Sequence, residues 1–185
     1  KDQISNAEHE AQKLTLGLHN QEIENLIRER LKGRNDFVLI GGPPCQAYSL
    51  IGRSRMKHVE DFESDERHIL YRHYLNVIAE FKPAVFVMEN VKGILSSRLN
   101  GEKVFSRIRE DLSRPGSAVN GGKGQSLRYD IFSFNPIEHT STVGPLLAHE
   151  PDYLESSDFV IKSENYGIPQ ERHRVILLGI RSDKK

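Results

Sequence analysis

Two short apolar runs, FVLIGG at residues 37–42 and AVFVMEN at 84–90, constrain this chain more than any other feature. Each is continuous rather than alternating, which predicts a strand buried on both faces. Each also follows a stretch with helical spacing. In NQEIENLIRERLKGRND, Ile23, Leu26, Ile27 and Leu31 fall on one side, and Gly33 supplies a stop. In ERHILYRHYLNVIAEFKPA, the apolar positions are Ile69, Leu70, Tyr74, Leu75, Val77, Ile78 and Phe81, and Pro83 ends the pattern. EKVFSRIREDL predicts a third helix. Helix–strand–helix–strand–helix with uniformly apolar strands predicts an α/β fold, its parallel sheet covered by helices on both sides. Ligands of such sheets gather beyond the carboxyl ends of the strands, where Cys45 and Glu89 both lie.

The second half changes character. SRPGSAVNGGKGQS, residues 113–126, is rich in Gly and Ser and predicts a loop. RYDIFSF alternates as a strand does. NPIEHTSTVGPLLAHEPDYLESS is irregular and holds three prolines, and DFVIKS and RVILLGIRS predict two further strands joined by ENYGIPQERH. GGKG follows no predicted strand and opens no helix, so it carries no phosphate-loop reading. The expected organisation is a helical lead-in over 1–35, strands bearing Cys45 and Glu89 over 36–112, an irregular insertion over 113–157, and an arginine-bearing hairpin over 158–185.

Composition narrows the function. No apolar run approaches the roughly 20 residues that span a bilayer, and the first residues lack the apolar stretch of a signal peptide. The single cysteine forms no internal disulfide, and no Cys/His cluster has structural-zinc spacing. The expected setting is the reducing cytoplasm, beside the nucleoid in a bacterium, with no metal and no membrane partner. Basic and acidic residues balance at 26 each. Charge is nevertheless uneven: Arg53, Arg55, Lys57 and His58 precede the acidic run EDFESDE. A basic loop of this kind meets phosphates while the whole chain stays neutral; a solvated loop of mixed charge is the plainer alternative.

Cys45 is the sharpest single candidate. Most buried cysteines are inert small hydrophobes. Here Pro43 and Pro44 fix the backbone just before it, a polar Gln-Ala-Tyr-Ser follows, and Arg53 and Arg55 favour the thiolate, which is the nucleophilic form. Glu89 ends the strand Val85-Phe86-Val87-Met88, and a carboxyl at an apolar strand mouth is raised by desolvation and becomes a proton donor. Equally, it is an exposed cap on the next turn. Arg172 and Arg174 stand two apart at the start of a strand and share a face, which suits an anion or planar polar partner or a surface ion pair.

Taken in order, GGPPCQAYS, MENVKGIL and YGIPQERHRV resemble the Pro-Cys-Gln, Glu-Asn-Val and Gln-x-Arg-x-Arg motifs of the DNA cytosine-5 methyltransferases. SDERHILYRHYLNVIAEFKP is similar to the segment between the first two motifs, including Asp65, Arg67 and Leu70. The resemblance runs from about Asp36 to Ser182. It implies a partial doubly wound, Rossmann-like, S-adenosylmethionine-dependent methyltransferase sheet lacking its first strands. It further implies a covalent reaction in which Cys45 adds to carbon 6 of a flipped-out cytosine and Glu89 assists at ring N3. Arg174 would hold the base's O2, and Arg172 would position Glu89 or a phosphate. Gln46, Ser49, Arg53, Arg55, Asn90 and Gln170 are implied as substrate or DNA contacts, and Pro43, Pro44 and Leu70 as contacts to the cofactor.

The chain departs from that pattern in two places. The family's Phe-x-Gly-x-Gly cofactor loop finds no match before Asp36, and Tyr48 stands where Phe is usual. Double-stranded DNA is the expected partner. The rivals are a transfer-RNA cytosine-5 methyltransferase and a catalytically incomplete module that scaffolds or self-associates through an exposed sheet edge.

Overall fold

The computed structural model describes residues 7, 10–44, 66–99, 102–119, 127–135 and 154–184, with the side chains of 66–70 and 99 outside that description. Cys45, Gln46, Ser49, Arg53 and Arg55 lie outside the described residues. The chain forms two compact units, Lys1–Arg34 and Asn35–Lys185.

In the first unit, helix α1 (Asn20–Leu31) carries the predicted apolar positions, none of them fully buried. It ends where Lys32 turns left-handed at φ 48° and donates its N–H back to Arg28 O, one residue before the predicted glycine.

The second unit opens with strand β1 (Val38–Gly41), followed by helix α2 (Glu66–Phe81) and strand β2 (Val85–Val91). A single 3-10 turn, Lys92–Leu95, leads to the small hairpin β3 (Arg98–Leu99) and β4 (Glu102–Lys103). Helices α3 (Val104–Ser113) and α4 (Pro115–Val119) come next, then strands β5 (Tyr129–Phe132), β6 (Val160–Lys162) and β7 (His173–Arg181). The main sheet runs β1-β2-β7. Beyond β7, β5 lies along its second half and β6 along its first half, so both occupy the same edge.

Three expectations change here. Only β1 and β2 are parallel; β7 is antiparallel to β2, β5 and β6. The antiparallel β6–β7 pair is the hairpin expected over 158–185; the departure is that β7 also runs against β2. Next, the start of the predicted 113–126 loop is helical, because Pro115 opens α4 at the position where a missing N–H costs nothing. Lastly, β1 is not buried on both faces: Val38 is 57% and Ile40 76% exposed. Alternation along the strand sends Leu39 and Gly41 to the packed side, and no described residue covers the other.

That packed side is one continuous core. Phe86 and Met88 of β2, Val175 and Leu177 of β7, and Tyr129 and Ile131 of β5 meet Tyr74, Leu75 and Ile78 of α2 and Phe105, Ile108 and Leu112 of α3. Phe86 and Tyr129 pack with ring centroids 5.1 Å apart. Buried polar groups are satisfied. Tyr129 Oη donates to Pro83 O at 2.8 Å, and the Arg181 guanidinium donates to Lys82 O and pairs with Asp183. Burial pushes the Tyr129 phenol far up, so it stays a neutral donor. These contacts clamp the joint between α2 and β2, where Lys82 sits at φ 51°.

Gly179 makes this packing possible. A Cβ there would lie 2.2 Å from the ring of fully buried Phe86. Gly179→Ala is therefore expected to destabilise the fold by about 1–3 kcal/mol through overpacking. Urea unfolding checks this, and adding Phe86→Leu should recover part of the loss.

Candidate active site

The antiparallel placing of β7 builds the site. β1 and β2 run parallel, so their carboxyl ends lie side by side, whereas β7 begins where β2 ends, with Val91 opposite Arg174. Three separated segments therefore meet at one end of the sheet: Gly42–Pro44 after β1, Glu89-Asn90 at the end of β2, and Arg174 at the start of β7.

Glu89 sits opposite Ile176, which puts Arg174 on the adjacent diagonal of the same face, within reach of a long side chain. Arg174 Nε meets Glu89 Oε1 at 2.8 Å, and Arg174 Nη1 donates to His173 O at 2.8 Å. The carboxylate is 44% and the guanidinium 26% exposed. Pairs this open contribute about 0–1 kcal/mol to stability, so the contact orients more than it stabilises. The desolvated mouth expected around Glu89 is replaced by an open, ion-paired one. Gly42 stands against the other oxygen, since a Cβ there would lie 3.1 Å from Glu89 Oε2.

Asn90, named above as a substrate contact, is placed beneath the open face. Alternation turns it to the packed side, where it is 5% exposed. Its Nδ2 donates to Pro43 O at 3.1 Å, and its Oδ1 accepts from Val91 N at 2.8 Å. The amide ties the segment leading to Cys45 onto the strand that carries Glu89. From underneath, Tyr74 Oη donates to Val87 O at 3.2 Å, with its ring filling the space beside Gly41.

The remaining candidates separate. Arg172 precedes β7 and is exposed, so the guanidinium that meets Glu89 is that of Arg174. Gln170 is exposed in the approach to β7, its backbone N–H donating to Ile168 O at 2.8 Å. Pro43 is half-buried and Pro44 exposed, while Leu70 lies on α2 with its side chain outside the description. The Ser163–Tyr166 turn beside β7 was not legible in the sequence. There Glu164 Oε1 accepts from His173 Nε2 at 2.6 Å, a pairing set by the opposition of Lys162 and His173 across the strands.

S-adenosylmethionine fits these residues poorly. In doubly wound sheets a nucleotide-like ligand is held by a glycine-rich turn after the first strand and by an acidic residue on its ribose. The only acid at the described strand ends of this site is Glu89, which Arg174 occupies. No cluster of three metal-ligating side chains occurs among the described residues, and none of their helices is long and apolar enough to cross a membrane.

An α/β sheet with a carboxylate and a guanidinium joined at its strand ends, beside Pro43 and Pro44, has the layout of a methyltransferase sheet. The family model for C-5 cytosine-specific DNA methylases matches residues 10–120. The chain is 36% identical over 144 residues to the type II methyltransferase M.Bpa9945I of Bacillus paralicheniformis, covering 78% of this chain and 25% of that protein. It is 32% identical to the type II methyltransferase M.XorII of Xanthomonas oryzae (80% of this chain, 25% of the relative). It is 30% identical to the DNA (cytosine-5-)-methyltransferase M.ApeKI of Aeropyrum pernix (83% and 29%). This chain belongs to the C-5 cytosine-specific DNA methylase family. It spans about a quarter of the length of these relatives.

Two outcomes are expected. Asn90→Ala, which strips the Pro43 carbonyl of its donor, should cost about 1–3 kcal/mol in chemical denaturation. Isothermal titration of this chain alone with S-adenosylmethionine should give no binding in the micromolar range.

Proposed function

We propose that this chain carries the catalytic centre of a DNA cytosine-5 methyltransferase and that Cys45, Glu89 and Arg174 do its chemistry. The observation that supports the reading is the Arg174–Glu89 contact at the strand ends, with Pro43, two residues before Cys45, bonded to the neighbouring Asn90.

Cytosine resists attack at carbon 6, and its carbon 5 is not nucleophilic. The Cys45 thiolate adds to carbon 6, forming a carbon–sulfur bond, while Glu89 gives a proton or hydrogen bond to ring N3 so that negative charge does not build up. Carbon 5 is then enamine-like; S-adenosylmethionine, when bound in the complete protein, would supply the methyl group there, its sulfonium carbon–sulfur bond breaking to release the thioether. Loss of the carbon 5 proton returns the electron pair to the ring and expels the Cys45 thiolate. Arg174, held by Glu89 through Nε, turns its remaining N–H groups toward the base's O2. The base reaches this end of the sheet only after leaving the duplex, at a cost of a few kcal/mol. Arg172, exposed beside the site, suits a phosphate. The basic residues Arg53 and Arg55, with Gln46 and Ser49, belong to the segment proposed to meet the DNA.

DNA is favoured over transfer RNA because the matched family and the Aeropyrum pernix relative are named for DNA. The exposed Val38 and Ile40 on β1 favour a second property, self-association through that edge.

The test is mechanism-based trapping in the complete protein. A duplex containing 5-fluorocytosine blocks loss of the carbon 5 substituent and should leave a covalent protein–DNA adduct that Cys45→Ser abolishes. Glu89→Gln should slow adduct formation by roughly 10²–10⁴-fold. Trapping on transfer RNA instead of duplex DNA, or no trapping at all, would overturn the reading.

A further inference from the structure

Glu164 and His173 take no part in the reaction just proposed, yet they form a short contact next to its guanidinium. His173 precedes Arg174 on β7 and points the other way. Glu164 stands in the Ser163–Tyr166 turn that joins β6 to β7, and its Oε1 lies 2.6 Å from His173 Nε2. A carboxylate only accepts, so the imidazole proton sits on Nε2. The turn is fastened on the same side by Ser163, whose backbone N–H and hydroxyl both donate to Arg172 O. Gly167 closes it at φ 78°, its N–H donating to Glu164 O.

These contacts fix the peptide group before His173 and its ring. The peptide group after it matters to the site, because the His173 carbonyl is the acceptor for Arg174 Nη1. Two points therefore aim the Arg174 guanidinium: its own neighbour's carbonyl through Nη1, and Glu89 through Nε. A planar fork held at two points presents its remaining donors in one direction. Released from the carbonyl, it would pivot about the single bond to Glu89.

We propose that the Glu164–His173 pair positions Arg174, by locking the His173 peptide so that its carbonyl and Glu89 together set the direction of the guanidinium. This rests on the catalytic reading above only in giving that direction a purpose; the locking itself is a property of the β6–β7 turn.

The charges around His173 agree. Glu164 faces it from the turn, Lys162 lies opposite it on β6, Arg172 precedes it in the chain and Arg174 follows it on β7. The carboxyl of Glu164 is held below its ordinary value by hydrogen bonding to its own backbone, then by His173, with smaller help from the charges of His173 and Lys162. A depressed folded-state value means the acid's share of the contact is complete above the ordinary carboxylate range. It is lost as pH falls through the depressed value, so the lock persists at neutrality.

The experiment is ¹H–¹⁵N spectroscopy of the arginine side chains in this chain at mildly acidic pH. The Arg174 Nη–Hη resonance, which reports the bond to the His173 carbonyl, is assigned by its loss in Arg174→Lys. In the wild type it should be displaced from free arginine and slow to exchange. Glu164→Ala should return it toward the free position, and Glu164→Gln, whose Oε1 still accepts from Nε2–H, should restore most of the displacement. His173→Phe keeps a ring on the strand, removes the N–H, and should behave as Glu164→Ala does. The amide spectrum and melting temperature of each variant report whether the fold is intact, and Glu164 is exposed enough for its replacement to be tolerated. An Arg174 resonance unmoved by both Glu164→Ala and His173→Phe would overturn the proposal. In the complete protein, Glu164→Ala should lower kcat about tenfold with KM for DNA unchanged, less than the roughly 10²-fold loss expected for a 1 Å misplacement. If no protein form traps 5-fluorocytosine, the catalytic reading fails while the spectroscopic result still decides the positioning.

Discussion

The site depends on the antiparallel pairing of β7 with β2. A parallel neighbour would have brought the end of β7 to the end of β2 and sent Arg174 to the far side of the sheet. With the strands opposed, a residue at the beginning of one strand meets residues at the end of another, and Val91 faces Arg174. One step of slip in this pairing would turn Arg174 to the packed side and Val175 to the open one, undoing the contact with Glu89. The register is held by burial, because Val175, Leu177 and Gly179 must face Asn90, Met88 and Phe86. The precision of an exposed ion pair is thus supplied by the apolar packing behind it.

The same alternation divides the work at the end of β2. Glu89 and Asn90 are adjacent in the chain and opposite in orientation, so one reaches the open side while the other is sealed beneath it. Asn90 uses its burial to hold Pro43, and Glu89 uses its exposure to meet Arg174. Two neighbouring polar residues at a strand end become a tie and a working group through nothing more than the pleat.

Much of this was readable in advance. The strands around Glu89 and after Arg174, the helix Glu66–Phe81 and the helix Val104–Ser113 announce themselves by apolar runs and helical spacing, which depend only on near neighbours. What escaped is what depends on distant neighbours. The continuous run Val38–Gly41 predicted cover on both sides, yet composition cannot say which elements cover a strand. The two arginines of the last motif looked equivalent by alternation. Only the point at which β7 begins, after Arg172, separates the one on the sheet from the one before it. Glu164 and His173 are nine residues apart, and they meet because of how a turn closes. Pro115 was hidden by the glycines and serines around it, though a proline opening a helix is an ordinary start.

Beyond the site, the way β5 and β6 share one edge of β7 has a consequence of its own. Asn135 Nδ2 donates to both Asp158 O and Val160 O at 2.7 Å, and the Ser133 hydroxyl also donates to Asp158 O. One amide and one hydroxyl thus pin together two places separated by more than twenty positions in the sequence. The two half-strands are thereby stapled end to end, so β5 and β6 act on β7 as a single edge partner.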